Sequence, residues 1–167
     1  MAVVNTKSTA ISRADERQPR VDTPSHIQAG SPVIAVGTVE ISSADDDTSV
    51  YRFVRIPSGA RVHKIEALTD AITGGTDYNL GLYKPADVGG GAVVDDNLFA
   101  DALDLSSGNT IPVEVTFDQQ DIADIEKRVW ELPGLSADPH TEYDVALTAV
   151  TAGTGAGTVS LRMTYVL

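Results

Sequence analysis

The stretch of residues 61–101 does most to limit what this chain can fold into. Within it, residues 62–68 and 77–83 mix apolar and polar side chains at the period of a half-buried β-strand. The connection between them, residues 70–76, is rich in turn formers, and its two adjacent glycines can adopt positive φ angles that other residues avoid. This pattern predicts a scaffold of strands and turns, with no chemically reactive residue at its centre.

The chain before and after this stretch continues the β pattern. Further strands, in runs that are β-branched or alternate in polarity, are predicted over residues 33–41, 49–56, 110–117, 142–150 and 158–167. Clusters of turn-forming residues separate the runs at the spacing that is typical of an antiparallel sandwich or barrel. The sequence therefore predicts an all-β domain of about seven strands.

Two short segments break this pattern and are predicted to be helical insertions. Residues 97–103 follow Asp95 and Asp96, either of which could cap the start of a helix. In the second segment, residues 119–131, apolar side chains recur at spacings of three and four, which favours a helix. The apolar residues at this spacing are Ile122, Ile125, Val129 and Leu132. Trp130 is predicted to be buried as the anchor of this helix against the sheet.

The composition of the chain divides it into an extended N-terminal arm, residues 1–30, and a β-sandwich domain, residues 31–167. The arm is polar and has a net charge of +1, whereas the rest of the chain carries a net charge of −13. A segment of this composition is expected to be ordered only when it lies on another surface. That surface is interpreted as a sibling subunit or a partner protein; the alternative is that the arm packs back on its own domain. An acidic body repels phosphate backbones, so direct nucleic-acid binding is not expected.

The arm holds a concentration of positive charge in Arg13, Arg17 and Arg20. A guanidinium group offers forked donors that suit carboxylates on a partner. We therefore interpret these three arginines as candidate partner-binding residues. The alternative interpretation is that they only keep a tail soluble, because single exposed ion pairs contribute little.

No catalytic constellation can be assembled from the sequence. The chain lacks cysteine, a Gly-x-Ser-x-Gly nucleophile elbow and the Lys-Ser/Thr ending of a phosphate loop. Residues 45–47 are three consecutive aspartates that could ligate calcium, but their spacing does not complete a calcium loop, and an exposed turn is favoured. No apolar run approaches the ~20 residues that span a bilayer. The prediction is therefore a protein that is not an enzyme, with no cofactor, no metal site and no membrane partner.

Five fragments of the chain together resemble small structural proteins of tailed bacteriophages. The fragments are residues 65–70 (IEALTD), 81–83 (GLY), 91–95 (GAVVD), 98–100 (LFA) and 130–132 (WEL). Within that group, the chain is similar to capsid decoration, or cement, proteins of jelly-roll type. The resemblance covers about residues 50–150 and brings no catalytic motif with it.

The resemblance implies a jelly-roll sandwich that binds the outer capsid lattice, cements neighbouring capsomers and stabilises the phage head. It also implies the major capsid protein as a partner, a homo-oligomer (dimer or trimer), and a place on the capsid exterior after synthesis in the host cytoplasm. Two alternatives stay open: a β-sandwich binding module, such as a tail-fibre or carbohydrate-binding domain, and a head-completion or tail-tube protein. The binding module would need exposed aromatic side chains, whereas the tyrosines and Trp130 mostly fall at predicted core positions.

Overall fold

The computed structural model describes residues 30–116 and 118–167, which form eight strands and one four-residue helix. The strands are β1 (Val33–Ile41), β2 (Val50–Pro57), β3 (Arg61–Thr69), β4 (Asp77–Tyr83), β5 (Val93–Leu103), β6 (Val113–Glu114), β7 (Glu142–Thr151) and β8 (Gly157–Val166). The helix, α1 (Ala86–Gly89), lies between β4 and β5. No helix in these two ranges is long and apolar enough to cross a membrane.

The strands form two four-stranded antiparallel sheets that pack face to face. Sheet A has the order β1-β8-β3-β6, and sheet B has the order β2-β7-β4-β5. The first strand therefore pairs with the last, β2 with β7, β3 with β6 and β4 with β5. This nested pairing, divided between two sheets, is the jelly-roll arrangement. The prediction of an all-β antiparallel sandwich is confirmed.

One hydrophobic core fills the space between the sheets. β8 shows the expected alternation, since every second residue points inward. Its inward residues are Val159, Leu161, Met163 and Tyr165. β4 departs from alternation and is buried from Tyr78 to Tyr83, because its outer side is also covered. The backbone of Asp95 and Asp96 in β5 lies directly over Gly81.

Six of the seven predicted strands are present, with bounds that agree within one residue. The seventh, predicted over residues 110–117, is wrong in its extent, because only Val113–Glu114 pairs with β3. Beyond β6, the Val115 backbone N–H still donates to the Ile65 carbonyl oxygen at 2.9 Å, whereas the Ile65 backbone N–H donates to the Thr116 side-chain hydroxyl at 2.6 Å. Residue 117 lies outside the described ranges.

The helix predicted over residues 97–103 is wrong, since this segment belongs to β5 and pairs with β4. The prediction that Asp95 or Asp96 caps a helix fails with it. Asp96 instead accepts a hydrogen bond from the Asn79 side-chain amide at 3.3 Å, and the Asn79 side-chain oxygen Oδ1 accepts one from the Ala102 backbone N–H at 3.3 Å. These contacts hold an irregular part of β5 against β4, where the pairing register shifts repeatedly.

The helix predicted over residues 119–131 is also wrong, because the segment forms a series of turns. Ile122 and Ile125 are 90% and 51% exposed, so the apolar spacing does not mark a buried face. The Asp121 side chain accepts a hydrogen bond from the Ala123 backbone at 2.7 Å, a local contact that competes with helix formation. Trp130 is half-buried rather than fully buried.

Candidate interaction surfaces

The edge strands of the two sheets are the first candidate surfaces, because an edge strand presents unpaired backbone groups to other chains. The edges are β1 and β6 in sheet A, and β2 and β5 in sheet B. Three of them have features that discourage pairing. β6 has only two residues, β2 shifts register between Arg52 and Val54, and β5 shifts register at three points along β4.

β1 is different from the other edges. It is nine residues long, pairs with β8 in unbroken register and carries a single charged residue, Glu40. Ile34 and Val36 on its outer face are 63% and 64% exposed. Toward its other end the outer face is polar, and the hydroxyl groups of Thr38 and Ser160 lie 2.8 Å apart. β1 is therefore a long, regular edge strand. Its outer face is apolar near the start of the strand, and the strand carries only one charged side chain.

A second candidate is an apolar groove of about 440 Å³ beside sheet B. It lies between the β4–β5 connection and the loop that leads to β7. Its apolar lining includes Pro85, Val88, Val94, Leu135, Pro139 and Tyr143. Val88 is 78% exposed at its rim. The groove and β1 are thus apolar surfaces on different sheets.

The outer face of sheet B carries a polar network that is satisfied within the chain. The buried carboxylate of Asp144 accepts hydrogen bonds from Arg52 at 3.1 Å and from Arg55 at 2.7 Å. Arg52 also donates to the carbonyl oxygens of Lys84 and Gly91, at 3.1 and 2.9 Å. Because these contacts fasten the β4–β5 connection to the sheet, the role of the network is structural.

The candidate partner-binding residues Arg13, Arg17 and Arg20 lie outside the described residues, as does the arm 1–30 apart from Gly30. Their assignment stays a prediction.

The three aspartates at residues 45–47 form a loop whose carboxylates bind the chain's own groups. Asp45 accepts hydrogen bonds from the Ser42 backbone and the Tyr51 hydroxyl, both at 2.9 Å. Asp47 accepts one from the Ala152 backbone at 2.8 Å. Over residues 30–116 and 118–167, no three His, Asp or Glu side chains are grouped so that they could hold a metal ion.

The aromatic side chains lie mostly inside the sandwich. All five tyrosines are buried, as their positions in the strands predicted. Trp130 is half-buried, and its indole N–H has no hydrogen-bond partner among the residues that the structure describes. The tyrosines and Trp130 therefore do not form an exposed platform on which a sugar could stack.

The Tyr51–Asp45 contact predicts how stability depends on pH. Burial, together with the hydrogen bond to Asp45, raises the pKa of Tyr51 to about 12, whereas an unfolded tyrosine has a pKa of about 10. The unfolded chain therefore loses this proton first, so the stabilisation is complete below pH ~10 and is lost as the pH rises towards 12. We expect Tyr51→Phe, which cannot ionise, to show a smaller loss of melting temperature over this range in thermal melts by circular dichroism. Identical pH profiles of the two proteins would contradict the prediction.

Comparison with solved structures finds chains from two phage capsids that share this fold along most of their length. A chain of the cyanophage Pam1 capsid asymmetric unit is 19% identical, with a TM-score of 0.52, and the match covers 92% of this chain and 96% of that one. A chain of the Ralstonia phage GP4 capsid is 14% identical, with a TM-score of 0.61, and the match covers 89% of this chain and 92% of that one. No family model and no curated protein matches the sequence. At these identities, the likeness establishes the shared fold.

Proposed function

We propose that this chain is a structural virion protein that binds the outer capsid lattice and cements neighbouring capsomers. The observation that carries the proposal is the likeness of nearly the whole chain to chains of two phage capsids. A protein that binds the assembled lattice, but not its separated subunits, stabilises the assembly by mass action. The partner is then the major capsid protein, the site is the capsid exterior, and the role is non-enzymatic.

The distribution of charge along the chain supports different roles for the arm and for the body of the protein. The body carries a net charge of −13, whereas the arm 1–30 carries +1 and includes Arg13, Arg17 and Arg20. We propose that the arginines bind carboxylates on a neighbouring capsid subunit or a sibling subunit, while the acidic body faces outward. Forked guanidinium donors suit such carboxylates.

The alternatives from the sequence gain no specific support. A carbohydrate-binding module would need accessible aromatic rings, and the five tyrosines are buried. A head-completion or tail-tube protein would assemble into rings, which electron microscopy of the purified protein would reveal.

The experiment adds purified protein to phage heads that lack it and measures occupancy and the temperature at which the heads release DNA. We expect the full-length protein to bind and to raise that temperature. In a variant with Arg13, Arg17 and Arg20 all changed to Ala, we expect weaker binding. Each exposed ion pair contributes about 0.2–1 kcal/mol, so the loss of three weakens binding by about 3-fold to 140-fold. The difference between the two proteins is expected to narrow as salt is added, because screening weakens the wild-type charge pairs that the Ala variant lacks.

A matched variant with the same three positions changed to Lys keeps the charge and removes the forked donors. Its occupancy is expected to lie between those of the wild type and the Ala variant. Wild-type occupancy of the Ala variant at every salt concentration would refute the role of the arm and leave the lattice-binding function standing. Failure of the full-length protein to bind heads would refute the function itself.

A further inference from the structure

We propose that β1 is a self-complementary edge through which two copies of this chain pair. The inference rests on the geometry of β1 and deepens the proposed function, because the resemblance to cement proteins implies a homo-oligomer without saying which surface pairs. In an antiparallel ladder, about half of the backbone N–H and C=O groups of an edge strand point away from its only neighbour. Among the described residues, none of the backbone hydrogen bonds made outside the sheets involves β1. Within residues 30–116 and 118–167, the outer edge of this nine-residue strand therefore has a row of donors and acceptors without backbone partners.

Exposed edges of this kind are normally blocked in natural proteins, because they invite pairing with another chain. Here the other three edges have features that block pairing: β6 is only two residues long, and β2 and β5 shift register. β1 has no such feature. Its inner side is closed, because the backbone of Phe53 lies directly beneath Gly37. A partner can therefore join only at the edge, in the plane of sheet A, where it would cover Ile34 and Val36.

Charge points to a second copy as the occupant. Two bodies that each carry a net charge of −13 repel one another, so they can meet only at a locally neutral surface. β1 is such a surface, with Glu40 as its one charge. A different protein selected to bind this acidic chain would gain from opposite charges, and β1 gives it almost nothing to pair with.

The sequence of β1 is compatible with antiparallel pairing to itself. A twofold axis through Val36 places this residue opposite Val36 of the second copy, and Ile34 opposite Thr38 of the second copy. The two Glu40 residues then lie eight positions apart, about 27 Å along the strand, where salt screens their repulsion. Pro32, which has no backbone N–H, stands just before the strand and ends the ladder. The two A sheets become one continuous eight-stranded sheet, and the interface is isologous and closes at two copies.

The first test is the oligomeric state of full-length variants, measured by sedimentation velocity over a dilution series. We expect a dimer for the wild type. Val36→Lys should raise the dimer dissociation constant by about ten-fold or more, a change of about 1.4 kcal/mol, because two like charges would stand directly opposite. Since Val36 is mostly exposed, the variant should fold, and circular dichroism checks this. Val88→Lys, at a still more exposed site in the groove, is the matched control and should remain a dimer.

The second test uses the absence of cysteine from the natural chain. Opposite residues of an antiparallel pair have Cα atoms about 4.5–5.5 Å apart, a span that a disulfide can bridge. Val36→Cys should therefore give a covalent dimer on mild oxidation, whereas Glu40→Cys, far from its copy, should not. A mixture of Ile34→Cys and Thr38→Cys proteins should cross-link more than either protein alone.

The outcomes separate this proposal from the proposed function. A wild-type monomer at every concentration, a trimer, or a dimer that Val36→Lys leaves intact would overturn the pairing through β1. Equal cross-linking of the Cys variants at positions 36 and 40 would also overturn it. Because both tests are made without phage heads, a failure to bind heads counts against the proposed function alone.

Discussion

Replacing Gly81 with alanine is expected to destabilise the protein by about 3 kcal/mol or more, at the upper end of the costs of overpacking. A Cβ atom at this position would lie 2.1 Å from the carbonyl oxygen of Asp95 and 2.4 Å from the carbonyl carbon of Asp96. Both are backbone atoms, which cannot rotate away as a side chain can. The variant can fold only by lifting β5 from β4, so the loss should be visible as a lower melting temperature, by about 6–12 °C for a chain of this size.

Gly59→Ala is the matched control for this prediction. The nearest atom to a Cβ at Gly59 is a side-chain oxygen of Asp138 at 3.6 Å, an ordinary contact distance. We expect this variant to melt close to the wild type. If Gly81→Ala melted as high as Gly59→Ala, the close approach of β5 to β4 would be wrong.

Phe99→Ala is expected to lower the free energy of unfolding by about 3–5 kcal/mol, a large part of the ~5–15 kcal/mol that stabilises a typical domain. Phe99 is fully buried in the core from its position in β5. Its removal loses the burial of the ring and leaves a cavity that the paired strands can close only in part. Urea unfolding followed by circular dichroism measures the change.

Val93→Ala provides the comparison within the same strand. Val93 is exposed, so its truncation should change the free energy of unfolding by no more than about 0.5 kcal/mol. Similar effects of the two substitutions would argue against the placement of Phe99 in the core.

The strand bounds could be predicted because alternation is a local property of the sequence. For β1, β2, β3 and β8, one side of the strand faces the core and the other faces outward, so the period of two is visible. β7 keeps this period in its sequence, although it is buried on both sides from Tyr143 to Leu147. β4 was also predicted correctly, although it is buried on both sides. The cause of that second burial, the backbone of β5 lying over Gly81, depends on a distant irregularity that no local pattern contains.

The two failed helices show the limit of the same reasoning. Ile122 and Ile125 have helical spacing, but they are exposed on a chain of turns, so their spacing carries no information about a buried face. Residues 97–103 contain good helix formers, yet Phe99 is drawn into the core by the pairing of β5 with β4. In both segments, tertiary contacts override the local preference.

The candidate surfaces were less predictable than the fold. Residues 33–41 read plainly as a strand, but the sequence cannot say whether that strand lies at an edge, because its pairing is decided by residues more than a hundred positions away. The sequence-based candidates in the arm, Arg13, Arg17 and Arg20, await the head-binding experiment. The apolar groove beside sheet B is formed by segments that are distant in sequence, so it cannot be predicted from any single local motif.

The nested pairing of the strands sets the order of events when the chain is made. Val33 pairs with Tyr165 and Ile41 with Gly157, so the one strand that pairs with β1 among the described residues, β8, is the last to be synthesised. Contacts between such distant residues form slowly, and an unpaired apolar strand is prone to aggregation while it waits. The nascent protein therefore passes through a period in which both edges of its first strand are open, which makes synthesis at low temperature or with chaperones the favourable route to soluble material.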